Sequence, residues 1–286
     1  MLRQRFLQEI ESAALMLHPS GYKSIDFVCN AIHRGIFVPE IIEQTITSTK
    51  GEIYAGNDSE NPFDAWQEGS IAIIPLVGVM LKYGYWWGYG VDEIASIIKL
   101  AYDSDKITAV VVKADTPGGN TDSLFLLQEV LSQKSKPTYG FIDGMCMSCG
   151  YIAFSYMDKI YAINRMAQVG GIGVFARIII PNEKDTWYKV VDVYPKESPD
   201  KNREERELIK GNKEPFMEKL SKLAVYFQET VKANRPRLSD DVLTGMAYFA
   251  YEAEPLGMID GVRSLNEVVA ELTALEENRK KILTYL

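Results

Sequence analysis

Ser148 stands in the string Met147-Ser148-Cys149-Gly150-Tyr151, between one apolar run and the start of the next. A serine at the head of a helix is ordinarily a cap that accepts a backbone N–H. The same position suits a nucleophile, because the positive end of the helix dipole lies beside it and the N–H of the following residue can join an oxyanion hole. Gly144, Cys146, Cys149 and Gly150 leave room there for a ligand to approach. A second signal is Asp115-Thr116-Pro117-Gly118-Gly119-Asn120, which follows the apolar run ITAVVVKA. Paired glycines after a strand make a tight turn; they also let backbone N–H groups face an anionic oxygen with no side chain in the way.

A serine hydroxyl needs a base, usually a histidine. The only histidines, His18 and His33, lie far from Ser148 in the chain. A lysine can replace histidine when burial lowers its pKa from about 10.4 toward neutrality. Lys196, in VVDVYPKESPDK, is the best placed because it follows an expected strand; Lys201 is the fallback. Either could instead be an ordinary solvated lysine.

Short apolar runs alternating with amphipathic stretches begin at Ile71. IAIIPLVGV, ITAVVVKAD, PTYGFIDG and KIYAI read as strands, and VDEIASIIKLAYDSD, TDSLFLLQEVLSQK and SCGYIAFSYM as helices. This alternation implies β-α-β crossovers and a largely parallel sheet. Residues 1–69 read as an N-terminal helical segment ending in the linker NDSENPFDAWQEGS, and 70–195 as the α/β core. Residues 196–265 read as a loop bearing the base followed by a helical arm, with one helix from about Arg203 to Asn234 and more helix from Asp240. Residues 266–286 form a C-terminal amphipathic helix that is either packed or partner-binding. The aromatic string from Lys82 to Gly90 suits an apolar lip for unfolded polypeptide or a loop against a neighbouring subunit.

These pieces resemble the signal peptide peptidase A family of Ser-Lys proteases, including its short phage head-maturation and procapsid branch. The family order is IxxIPLxGxI, D-S/T-P-G-G, A-S-G-G-Y, G-S-I-G-V, a lysine after a later strand, and G-L-V-D. The chain offers IAIIPLVGVM, DTPGGN, MSCGY, GGIGVF, YPKESPDK and PLGMIDG in that order, from about Ile71 to Gly261. The resemblance implies Ser148 as nucleophile, Lys196 as base, and Gly119, Gly118 and the Cys149 N–H at the oxyanion hole. It also implies a crotonase- or Clp-protease-like spiral of β-β-α units with an appended arm, and a ring-like homo-oligomer whose sites lie near subunit boundaries. No cofactor or metal is required. Two positions depart from the pattern: Cys149 stands where the family has glycine, and Gly171 where it has serine.

Composition bounds the remaining readings. A net charge of −8 argues against a surface built to grip nucleic acid phosphates. No run reaches the roughly 18 apolar residues of a membrane span, so the expected location is cytoplasmic or inside a phage procapsid, with capsid or scaffold proteins as partners. Cys29, Cys146 and Cys149 cannot build a disulfide framework, and the C-x-x-C spacing of the last two lacks obvious partners for zinc. Other readings are a cytosolic peptide-degrading peptidase, an acyl-CoA enzyme using the same oxyanion geometry, and a shell or scaffold protein that keeps the fold without turnover.

Overall fold

A computed structural model of the chain describes residues 61–84, 89–176 and 193–285, together with the backbone of three short strands before them. Those strands are β1 (Leu15–Leu17), β2 (Ile46–Ser48) and β3 (Gly51–Ile53). The apolar run after the linker becomes β4 (Ser70–Val77), whose first five residues are all buried. Burial on both faces is what a central parallel strand requires.

β5 (Ile107–Thr116) runs parallel to β4, and β7 (Thr138–Met147) runs parallel to β5. The crossovers are α1 (Val91–Asp103) and α2 (Thr121–Ser132). α1 buries Val91, Ile94, Ile98, Ala101 and Tyr102, one stripe at helical spacing. α2 starts where the Asn120 side chain accepts the Ser123 N–H at 2.7 Å. Between β5 and α2 lies β6 (Gly118–Asn120), which is antiparallel to β1. The α/β expectation with a parallel centre therefore holds.

The sheet is covered on both faces. Ile74, Val110, Val112 and Ile142 point toward the crossover helices. Ile71, Ile73, Ala109, Val111, Tyr139 and Phe141 point the other way, onto Val268 and Leu272 of the C-terminal helix α7 (Leu265–Thr284). Each of those two anchors contributes about 1.5–3 kcal/mol of burial. Glu271 adds a polar hub, accepting from Lys159, Tyr139, Tyr161 and Arg263. Only the first half of α7 is held this way, because Leu275, Ile282 and Leu283 are exposed.

β7 ends in α3 (Cys149–Phe154) and changes partner along its length. Tyr139–Ile142 pair with β8 (Lys159–Ala162), and Met145–Met147 pair with β9 (Gln168–Gly170). At the change of partner, the Met145 N–H donates to Asp115 Oδ1 at 3.1 Å.

Several elements differ from the sequence reading. The arm is two helices, α4 (Arg203–Ile209) and α5 (Glu214–Asn234), because Gly211 takes φ +90° and Pro215 opens the second. Beyond Asp240 come a single 3-10 turn (Asp240–Val242), the strand β10 (Ala247–Phe249) and the short α6 (Ala250–Ala253). Gly245 at φ +88° and Gly257 at φ +76° interrupt any longer helix, and β10 pairs antiparallel with β9. Among the described residues of the region read as a helical start and linker are three short strands, and β2 extends the main sheet by pairing with β4. Within the linker, Phe63 is fully buried and stacks edge-on with Trp66 at 4.9 Å. The first half of the expected strand VVDVYP falls outside the described residues, and Val193, Tyr194 and Pro195 are not in a strand; His18, His33, Cys29 and residues 85–88 of the aromatic string also fall outside.

Candidate active site

Ser148 sits at the junction of β7 and α3 with φ 56° and ψ −122°. These are the angles of the first central position of a type II′ turn, which normally requires glycine. Holding a serine there costs about 1–3 kcal/mol, and such strain clusters at functional sites. Two backbone bonds impose it. The Ser148 N–H donates to the Gly170 carbonyl at 2.7 Å, and the Ser148 carbonyl accepts from Ile152 at 3.0 Å. The side chain makes no cap hydrogen bond, which removes the ordinary structural reason for a serine at this place. Gly171, at φ +67°, runs alongside: a Cβ there would lie 3.4 Å from the Ser148 nitrogen.

The Gly118–Gly119 turn is fixed against Met80. Met80 donates to the Gly118 carbonyl at 2.9 Å, and Asn120 donates to the Met80 carbonyl at 3.0 Å. A Cβ on Gly119 would stand 1.8 Å from that carbonyl oxygen, so only glycine fits. Thr116, buried and not singled out in the sequence reading, donates to the Gly78 carbonyl at 2.6 Å and accepts the Gly118 N–H at 3.2 Å. Its place in the D-T-P-G-G string was the available signal.

Cys149 joins the two halves of the site. Its Sγ lies 3.5 Å from the Gly119 carbonyl and 3.4 Å from the Asn120 carbonyl. Burial pushes this thiol up to about 12, so at neutral pH it is a donor and not a thiolate nucleophile. Burial likewise raises the Cys146 thiol. As the first residue of α3, Cys149 has an N–H with no acceptor inside the helix. Gly150 permits the close packing, since a Cβ there would meet Thr116 Cγ2 at 2.6 Å. Ser148, Cys149, Gly118 and Gly119 are thus brought together.

Lys196 is not joined to them within one chain. It lies exposed in the turn closed by the Ser198 N–H and the Pro195 carbonyl, and no hydrogen bond links it to Ser148. Lys201 is exposed as well. Lys136 is partly buried, and burial lowers its pKa. Its Nζ, however, donates to the Ala101 and Ser104 carbonyls, near the start of β7. The nine steps from Thr138 to Met147 separate that end from Ser148 by about 30 Å.

Protease 4 of Haemophilus influenzae is 25% identical over 201 residues, covering 67% of this chain and 32% of that protein. The chain thus spans about a third of that relative's length. Two solved structures are also similar. One is the 1510-N membrane protease specific for a stomatin homolog from Pyrococcus horikoshii, at TM-score 0.43 and 14% identity over 70% of this chain and 76% of that one. The other is an enoyl-CoA hydratase/isomerase described for Acinetobacter baumannii, at TM-score 0.44 and 13% identity over 77% and 81%. The family model for Peptidase family S49 matches residues 130–279, more than half of the chain, and takes in Ser148, Lys196 and the whole arm. On that match the chain belongs to peptidase family S49.

Proposed function

We propose that the protein is a serine endopeptidase in which Ser148 is the nucleophile and Lys196 the general base. The observation that carries this reading is the strained backbone of Ser148 beside a glycine-only turn, with its hydroxyl outside any cap. In the proposed reaction neutral Lys196 takes the hydroxyl proton as Ser148 Oγ attacks a peptide carbonyl. The tetrahedral oxyanion lies between the N–H groups of Gly119 and Cys149, with Gly118 shaping the turn. The intermediate collapses as the C–N bond breaks, and the lysine returns its proton to the leaving amine. Water, deprotonated by the same lysine, then hydrolyses the ester and frees Ser148.

A base must be neutral to act, and an exposed lysine is not the environment that makes it so. The exposure of Lys196 in the single chain leads us to place the base opposite a neighbour's Ser148 in a homo-oligomer, where a second copy would cover it and remove that water. The test mixes inactive Ser148→Ala with inactive Lys196→Ala under proven subunit exchange. Recovery of part of the wild-type activity is expected, and no recovery would reject the shared site. A fluorophosphonate probe should label Ser148 in the assembled protein; folded protein that stays unlabelled would favour the non-enzymatic or acyl-CoA readings. The finer role, maturation of capsid or scaffold proteins, rests on the motif resemblance and is tested by incubating the protein with those partners.

A further inference from the structure

β6 has two edges, and they are used differently. The Gly118 carbonyl and the Asn120 N–H face Met80. Alternation along a strand therefore turns the N–H and C=O of Gly119 to the opposite edge. That edge also faces the head of α3, since the Gly119 carbonyl lies near Cys149 Sγ. It is not open. β1 lies along it antiparallel, with Leu15 opposite Asn120, Met16 opposite Gly119 and Leu17 opposite Gly118. Met16 thus occupies a hydrogen-bonded pair with the residue whose N–H is the candidate oxyanion donor.

An extended polypeptide entering a protease cleft adds to an exposed strand edge in this way. We infer that Leu15–Leu17 is a built-in occupant of the substrate position, an internal competitor that an incoming polypeptide displaces. The inference rests on the proposed role of Ser148 and Gly119. The occupant's sequence is the uncharged triplet Leu-Met-Leu, so an apolar peptide is the matching probe. The pairing covers three residues, short enough to be exchanged for a longer strand. β1 and β6 form a two-stranded sheet separate from the main one, so β1 can leave without breaking the main sheet's ladder.

The test uses the full chain with Met16→Pro, which removes the N–H opposite Gly119 and is barred from a paired strand. Hydrogen exchange at the Gly119 amide should speed up at least about tenfold, because the competent open state is no longer rare. KM for an apolar peptide should fall about tenfold with little change in kcat. A synthetic peptide of residues 12–20 added to the variant should restore slow exchange and compete with substrate. Unchanged exchange and KM in folded Met16→Pro, or a peptide without effect, would overturn the inference. Should the variant not fold, benzoylphenylalanine in place of Met16 decides: photocrosslinking to the fragment containing Gly118–Asn120 supports the contact, and its absence refutes it. If Ser148 is not the nucleophile, no variant is labelled by fluorophosphonate, while the exchange and crosslinking results still stand by themselves.

Discussion

Replacing Ser148 by glycine and, separately, by alanine tests the strain argument through stability. Both variants lose the hydroxyl, which makes no cap bond, so that loss costs little in either. Alanine keeps the Cβ that φ 56° disfavours, and Ser148→Ala should therefore lie within about 0.5 kcal/mol of wild type. Glycine removes about 1–3 kcal/mol of backbone strain. It returns about 0.5–1 kcal/mol through the greater freedom of the unfolded chain. The expected net is a Ser148→Gly protein about 0.5–2 kcal/mol more stable than Ser148→Ala. Urea unfolding should show this as a higher midpoint at an unchanged slope. A glycine variant no more stable than the alanine variant would mean that the turn is not strained, and the main support for Ser148 as nucleophile would go with it.

Gly119→Ala should lower activity at least 10²-fold and stability by about 1–3 kcal/mol, because its Cβ collides with the Met80 carbonyl; a functional, equally stable variant would refute the glycine requirement. Replacing His18 and His33 together by glutamine should change turnover less than about tenfold, whereas loss of a true base costs 10² or more. Burial alone would raise the Glu271 carboxyl, but hydrogen bonds from Lys159 and Tyr161 outweigh it and hold the group below its ordinary 4.5. Its stabilisation is therefore present above that value and is lost as pH falls through the lower folded-state value. Glu271→Gln should flatten the acid limb of the stability curve in that window, and an unchanged limb would exclude Glu271 as the hub of α7.

The core strands were legible because each is long, apolar and bounded by turn residues, and the positions of Ser148 and Gly119 at their ends followed directly. Short strands were not. β1, β6 and β10 have three residues each, too few for any period to register, and their pairing depends on contacts remote in the chain. The break at Gly211 has a local signal in GNKEP, but it stands between two charged helical stretches that read as one helix. The unusual angles of Ser148 could not be read at all. They are imposed by backbone bonds to Ile152 and to Gly170, the second a residue remote from the serine in the chain. The proposed role of Lys196 calls for a surface outside the single chain, which neither composition nor spacing reaches.

The split pairing of β7 makes the proposed nucleophile, Ser148, answerable to the arm. Gly170 meets Met147 on one edge of β9 and Ala247 on the other, and the Gly171 N–H is tied to the Met246 carbonyl at 2.7 Å. β10 thus works as a short tie-rod from the loops after α5 to the peptide group of Ser148. A pull on the arm would be felt at the Ser148 peptide through this tie, so the arm could tune the alignment of the serine while the turn's own sequence stays fixed.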